Sequence, residues 1–293
     1  MMLSVVIATR NRAAQLSDAL DSLTAQQEAP PFEIVVSDNG STDGTADVVA
    51  AKRASFKGDL RRVFVAAPNR AAARNRAVQE STGDVVVFVD DDVVVPMGFL
   101  RAHATRHEAG TMRAVSGPII VVASPRSRPR PTLANASRAF FCTCNVSVTR
   151  LAFDAAGRFD ERFDLYGWED TDLGIRLRRL GTQRVFAWDA YLYHVKPVQS
   201  ETLDDALRRA TEKGRMGARL IGKDASLRTR LATGAHAANF FRAALFVPPW
   251  LLPWYERMAR APVVPGPLRA FARAQALDGT YVHALQGGLR AQR

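Results

Sequence analysis

The sequence predicts an α/β protein, with a mostly parallel central sheet flanked by helices and a helical extension at its C-terminal end. Two patterns point there. Apolar runs of strand length alternate with helix-period segments through the first 90 residues, and a polar residue stands at the carboxyl end of each run. The clearest run, Val85-Val86-Val87-Phe88-Val89, is unbroken, as a strand buried on both faces requires, and leads straight into Asp90-Asp91-Asp92.

Taken in order, residues 3–8 read as a short buried strand. Thr9-Arg10-Asn11-Arg12 then opens a helix with apolar positions Leu16, Leu20 and Leu23. Residues 33–37 form the second strand, 38–44 a loop rich in Asp and Gly, and 45–53 a helix. The third strand covers 61–66, a helix over 69–80 carries Arg70, Arg74, Asn75 and Arg76, and Gly83-Asp84 turns the chain into the run at 85–89. Strands separated by helices pair in parallel, and such sheets bind ligands outside the carboxyl ends of their strands. Thr9, Asp38, Asn69 and Asp90 all fall at or just beyond those ends.

Beyond Pro96 the pattern gives a helix over 98–109 and a strand near 114–122. The Pro/Arg/Ser loop at 124–131 either closes over an anionic substrate or is a solvated linker. Residues 142–149 return to strand character. Asn145 in their middle either hydrogen-bonds a substrate hydroxyl or satisfies a neighbouring backbone group. Gly167-Trp168-Glu169-Asp170 introduces a helix over 172–180, whose N-terminal acids suit the helix dipole, and 183–195 reads as a strand pair ending near His194. An amphipathic helix follows over 201–221. The aromatic segment 239–255 is too short and too rich in Pro to span a bilayer, so it either lies on an anionic membrane or packs as a C-terminal arm. The expected division is a domain at 1–200 and a basic helical and aromatic extension at 201–293.

Bulk composition narrows the classes. With 47% hydrophobic and 24% charged residues over 293 positions, the chain can bury a substantial core, and disorder is not the default. Only five of its 40 basic residues are Lys. Positions 1–200 hold 25 basic and 22 acidic residues, a net of +3, whereas 201–293 hold 15 and 7, a net of +8. That asymmetry suggests an anionic partner, lipid or nucleic acid, although scattered Arg also follows from GC-rich coding. Cys142 and Cys144 lack zinc-site spacing and read as small hydrophobes on one strand face in a reducing compartment. The N-terminus leads directly into a strand without a signal peptide, so the expected location is cytoplasmic, with peripheral contact to the inner face of the membrane as the open addition.

Three adjacent carboxylates repel one another unless solvent, a basic partner or a hard cation offsets the charge. Mg²⁺ or Mn²⁺ suits such oxygens and bridges protein carboxylates to substrate phosphates, while the rival reading of Asp90-Asp91-Asp92 is an Asp-rich turn. Neither a Gly-x-Gly-x-x-Gly after the first strand nor a P-loop is present, which disfavours a dinucleotide dehydrogenase and a P-loop NTPase.

Five ordered motifs, Ser4-Val5-Val6-Ile7-Ala8-Thr9-Arg10-Asn11-Arg12, Ile34-Val35-Val36-Ser37-Asp38 with its Asn39-to-Thr45 loop, Asn69-Arg70-x-x-x-Arg74-Asn75, Phe88-Val89-Asp90-Asp91-Asp92 and Trp168-Glu169-Asp170-x-Asp172-Leu173, together resemble a family 2 glycosyltransferase. The resemblance covers about residues 3–196; the last third matches no family. It implies a single glycosyltransferase A domain, a nucleotide-diphosphate sugar donor, a divalent cation (Mn²⁺ or Mg²⁺) and inversion at the anomeric carbon. It further implies donor-binding roles for Thr9, Arg10, Arg12, Asp38, Arg74, Asp90 and Asp91, with Asp38 on the base and Asp90 on the ribose or donor sugar. Asp92 and His194 would hold the cation, and Asp170 would be the catalytic base with Glu169 beside it contacting acceptor or donor hydroxyls. From the residue types alone, Trp168 either stacks on an acceptor ring or packs in the core, and Asn145 is the other candidate acceptor contact. The acceptor is a glycan, a lipid-linked molecule or a small molecule, and no nucleic-acid partner is expected. Two rivals stay open. A sugar nucleotidyltransferase normally places a Gly-rich loop where Thr9-Arg10-Asn11-Arg12 stands, and a basic membrane- or nucleic-acid-binding module would leave both acidic clusters idle.

Overall fold

The computed structural model describes residues 1–66, 69–137, 139–196 and 201–292. The chain falls into two compact units, Met1–Asp164 with Glu169–Val198, and Leu165–Trp168 with Gln199–Arg293.

The first unit opens with β1 (Leu3–Thr9), α1 (Ala13–Thr24), β2 (Phe32–Asp38), α2 (Thr45–Ser55), β3 (Asp59–Phe64), α3 (Arg70–Gln79) and β4 (Val85–Asp90). These strands pair in parallel in the order β3-β2-β1-β4. Thr9 stands opposite Asp38, and Ala8 opposite Asp90, so the polar ends of separate strands form one row. Val5 and Ile7 of β1 and Val85, Val87 and Val89 of β4 face a core shared with Leu16, Leu20 and Leu23 of α1. Val6, Val86 and Phe88 face the opposite core, where the Phe88 ring lies 5.8, 5.6 and 5.5 Å from those of Phe141, Phe153 and Phe159. Successive strand side chains point to opposite faces, so a sheet covered on both sides demands the unbroken apolar run.

The unit continues with β5 (Val93–Val94), α4 (Phe99–Ala104), β6 (Arg113–Ser116), β7 (Ile119–Val122), β8 (Asn145–Thr149), α5 (Arg150–Ala155), α6 (Glu169–Arg179), β9 (Gln183–Phe186) and β10 (Leu192–Val195). β8 runs antiparallel between β4 and β6, and β9 adds in parallel at the edge, completing a seven-stranded order β3-β2-β1-β4-β8-β6-β9. A second sheet has the order β5-β10-β7.

Several expected boundaries change. The single strand at 114–122 is two strands in different sheets, parted at Gly117-Pro118. A Cβ on Gly117 would stand 1.8 Å from the Ala190 backbone oxygen, and Pro118 has no N–H for a ladder. The pair at 183–195 divides in the same way, since β9 follows β6 and β10 follows β7. The strand expected from 142 starts at Asn145, so Cys142 and Cys144 precede it as free thiols rather than sharing a strand face. The helix expected over 98–109 stops at Ala104, and the one expected from 172 starts at Glu169. Gly167 and Trp168 hold φ of 94° and 75°, a left-handed conformation that keeps the helix from beginning earlier.

The second unit holds α7 (Leu203–Lys223), α8 (Leu227–Thr233), α9 (Ala237–Phe246), a 3₁₀ turn at Pro249–Leu251, α10 (Leu252–Arg260) and α11 (Gly266–Arg290). Glycines let α7 and α11 approach closely: a Cβ on Gly214 would meet the Tyr281 backbone oxygen at 2.4 Å, and one on Gly288 the Ala218 Cβ at 2.6 Å. Among the described residues no helix is long and apolar enough to cross a membrane.

At the amino end of β2, away from the polar row, Glu33 is fully buried. It accepts hydrogen bonds from Ser4 Oγ (2.8 Å), Thr82 Oγ1 (3.0 Å) and Gly83 N (3.2 Å) and pairs with Arg61. Glu33→Ala strands these donors and the Arg61 charge together. It is expected to cost about 3 kcal/mol in urea unfolding; a loss below about 0.5 kcal/mol would mean that solvent replaces the carboxylate.

Candidate active site

The carboxyl ends of β1, β2 and β4 bring the first acidic cluster together. Asp38 is buried at the end of β2, accepting from Ser41 N at 2.8 Å and from an Arg62 guanidinium nitrogen at 2.6 Å. Beyond β4, Asp91 turns inward to accept from Thr9 Oγ1 (2.7 Å) and Arg12 (3.0 Å). Burial pushes the Asp91 carboxyl up to about 6, against the opposing pull of Arg12 and Thr9. Asp92 accepts from Arg12 at 2.8 Å and lies 2.9 Å from His194 Nε2. Burial disfavours its charge, but His194 and Arg12 outweigh burial and hold the carboxyl below its usual value. The Arg12 guanidinium loses solvent too, yet Asp91 and Asp92 more than compensate and its pKa is raised. Arg10 is exposed.

A second cluster meets the first through Arg74. This guanidinium is only 8% exposed and lies 2.9 Å from Glu169 Oε1, 3.7 Å from Asp90 Oδ1 and 3.9 Å from Asp170 Oδ1, over the Phe159 ring. Burial works against its charge, and Asp170, Glu169 and Asp90 together raise its pKa nonetheless. Residues 80 positions apart in the sequence thus share one cation. Asp170 Oδ2 accepts from Thr143 N (2.9 Å) and Thr143 Oγ1 (3.0 Å), while its Oδ1 is shielded from solvent and has no hydrogen-bond partner among the described residues. Burial and the adjacent Glu169 raise the Asp170 carboxyl to about 7, Arg74 opposing.

One group of donors suits a metal ion. Ligand atoms of Asp90, Cys144 and His194 lie within 4.8 Å of one another, and His194 Nδ1 is 3.8 Å from Cys144 Sγ. A carboxylate and an imidazole fit Mn²⁺ well; the Cys144 thiol, pushed well above its usual pKa by burial and by Asp90, is the weak member.

Two sequence candidates make other contacts. Asn145 is 1% exposed, donating to the Pro118 and Ala190 carbonyls (3.1 and 2.8 Å), with its Oδ1 3.0 Å from His103 Nε2. Its amide ties β8 to the connections into β7 and β10, so the acceptor contact is replaced by a structural one. Trp168 belongs to the second unit, where its indole N–H donates to the Lys213 carbonyl (2.9 Å) and the Lys213 ammonium sits 5.5 Å from its ring. Arg62 and Thr143 escaped the sequence reading. Arg62 lies in a strand that reads as partly exposed, and Thr143 lies in an irregular turn between two cysteines.

A parallel half-sheet with carboxylates along its strand ends, extended by mixed strands, is the glycosyltransferase A architecture. The model for "Glycosyl transferase family 2" matches residues 4–160, and the chain belongs to that family. It is 26% identical over 269 residues to YfnE, an uncharacterized glycosyltransferase of Bacillus subtilis, covering 70% of this chain and 68% of the relative. It is 30% identical over 224 residues to a validoxylamine A glucosyltransferase of Streptomyces hygroscopicus subsp. limoneus, covering 61% of this chain but only 48% of that enzyme. The succinoglycan biosynthesis protein ExoM of Rhizobium meliloti is 28% identical over 232 residues, 73% of this chain and 74% of the relative. Among solved structures, the mannosyltransferase PcManGT of Pyrobaculum calidifontis superposes with a TM-score of 0.61 at 22% identity, covering 99% of this chain and 87% of that one. TarS 1-349 of S. aureus gives 0.59 at 21%, covering 100% and 92%. These likenesses establish the fold.

Because Arg74 is the cation shared by Asp90, Glu169 and Asp170, Arg74→Met is expected to destabilise the fold by about 3–5 kcal/mol at pH 8. Carboxylates whose folded pKa is raised bind more protons folded than unfolded, so stability rises as pH falls through that raised value. The deficit should therefore shrink between about pH 8 and pH 5 in denaturant titrations; a constant deficit would mean that Arg74 acts through packing alone.

Proposed function

We propose that the chain is an inverting, cation-assisted glycosyltransferase that moves a sugar from a nucleotide-diphosphate donor to an acceptor hydroxyl, with Asp170 as general base. The observation that carries the reading is the state of Asp170: one oxygen fixed by Thr143, the other shielded and without a hydrogen bond among the described residues, the carboxyl raised to about 7. A base held in one orientation and titrating near the working pH is what deprotonation of a hydroxyl requires. As the acceptor oxygen bonds to the anomeric carbon, its proton passes to Asp170. The bond from that carbon to the diphosphate oxygen breaks, and its electron pair leaves with the diphosphate.

In this reading residues 1–200 are the catalytic domain and 201–293 an extension. Asp38, braced by Arg62, receives the base; Thr9, Arg10 and Arg12 grip the nucleoside; Arg74 and Asp90 face the donor. Asp91 serves that group indirectly, as the buried brace of Thr9 and Arg12. Glu169, beside the base, meets acceptor or donor hydroxyls, and the acceptor is a glycan, a lipid-linked molecule or a small molecule. Asp92 and His194, with Asp90 beside them, would hold a divalent cation, Mn²⁺ fitting the imidazole better than Mg²⁺. When bound, that cation supplies positive charge against the departing diphosphate. PcManGT, solved with GDP-Man and Mn²⁺, and TarS, solved with UDP-GlcNAc, support the donor class, and ExoM supports a role in polysaccharide biosynthesis.

With a panel of nucleotide sugars and Mn²⁺, release of nucleoside diphosphate should fall by about 10²- to 10⁴-fold in Asp170→Asn, while donor binding by thermal shift changes little. Substantial turnover in that variant would remove Asp170 from the role. Wild-type turnover should rise with pH through about 7, because the base acts only after losing its own proton. His194→Ala should weaken Mn²⁺ binding, followed by electron paramagnetic resonance, by at least about tenfold; an unchanged affinity would take His194 out of the cation site.

A further inference from the structure

The second unit leaves large apolar side chains uncovered on the outer sides of its helices. α9 turns Phe240, Ala243 and Val247 inward, at the spacing of one helix face, against Ala272, Ala276 and Val282. Its other side is where a solvated helix carries charge, and there Phe241 is 69% exposed, with Leu245 beside it. The chain continues through Phe246, Trp250 and Trp254, with Trp250 77% exposed and the other two at least half exposed. Phe271 of α11 joins them: the Tyr255 ring lies 5.3 Å from Trp254 and 6.2 Å from Phe271, and Tyr255 OH donates to the Phe246 carbonyl at 3.0 Å. No charged residue occurs from 243 to 255. Six large apolar side chains exposed across α9, the 3₁₀ turn, α10 and α11 exceed the scattered exposure of an ordinary soluble protein.

Charge decides what covers it. The segment 201–293 carries 15 basic and 7 acidic residues, so a second copy docking here would meet its own excess of positive charge. Arg257 follows Trp254 by three residues and Arg269 precedes Phe271 by two, both exposed and in no ion pair among the described residues. Tryptophans and phenylalanines rimmed by arginine match the boundary between acyl chains and anionic headgroups, where amphipathic rings bury and guanidinium groups meet phosphate. We infer that the face formed by Phe241, Leu245, Phe246, Trp250, Trp254 and Phe271 docks on an anionic lipid bilayer, seating the second unit in the interface without spanning it.

The experiment is co-sedimentation of the full chain with vesicles of phosphatidylcholine alone or mixed with phosphatidylglycerol. Binding is expected to the mixed vesicles, weakening with added salt, and at least about tenfold poorer to phosphatidylcholine. The triple variant Phe241→Ser, Phe246→Ser, Trp250→Ser should lose about tenfold or more of that partition while keeping its helical circular dichroism. Arg257→Glu with Arg269→Glu alters only solvated side chains and should lose a similar factor, which keeps the test decisive if the apolar variant fails to fold. Equal binding by parent and both variants, or equal binding to both vesicle types, overturns the inference. So does a concentration-dependent dimer in sedimentation equilibrium that the apolar variant abolishes, since a second copy would then be the occupant.

Discussion

The acidic site depends on Arg74. Glu169 and Asp170 are neighbours in sequence, Asp90 arrives from the end of β4, and such charges out of water repel one another strongly. At an effective dielectric of about 20, each attraction at 3–4 Å is worth about 4 kcal/mol, against several kcal/mol for removing one ion from water. Three carboxylates around one guanidinium therefore offset its desolvation, which no single pair would do. The contacts are unequal: Glu169 holds the 2.9 Å bond, while Asp170 stands at 3.9 Å and is tied to Thr143. That inequality separates two adjacent acids that look equivalent in sequence.

Sequence pattern exposed the half of the sheet whose strands are covered on both faces, because there burial leaves no position for a polar residue until the strand ends. Thr9, Asp38 and Asp90 stood out for that reason. The pattern failed where the chain changes sheets without changing composition. Residues 114–122 stay apolar across Gly117-Pro118, and only the close approach of the Ala190 carbonyl, a contact 73 residues away in sequence, shows why the strand must part there. Asn145 misled for a related reason. A polar residue in an apolar strand looks like a ligand group, but a junction between two sheets leaves carbonyls such as those of Pro118 and Ala190 that need a donor.

The sequence places the helix start at 172, behind acids that suit its dipole, whereas the left-handed backbone ends at Trp168 and the helix begins at once with Glu169. The shift matters for chemistry. Glu169 and Asp170 occupy the first helical turn, about 100° apart around the axis, so one reaches Arg74 and the other Thr143. In the extension, Ala and Gly dominate the inner side of α11, so its stripe is too weakly apolar to read, although those small residues are what admit α7 so closely.

Each acidic cluster thus has a member that braces its neighbours. Asp91 is consumed by Thr9 and Arg12, and Glu169 by Arg74, which fixes the backbone that presents Asp92 and Asp170. The two presented carboxylates are then driven in opposite directions. Asp92, beside a guanidinium and an imidazole, is held ionised below its usual range, whereas Asp170, shielded next to another acid, is raised to about 7. Environments that push carboxyl groups apart assign them different work. A permanently charged oxygen suits a partner that must stay bound throughout a reaction, and a carboxyl near neutrality suits one that must take up a proton and release it. Asp91 shares the upward push of burial, to about 6, yet its two hydrogen bonds go to Thr9 and Arg12, the side chains it holds in place.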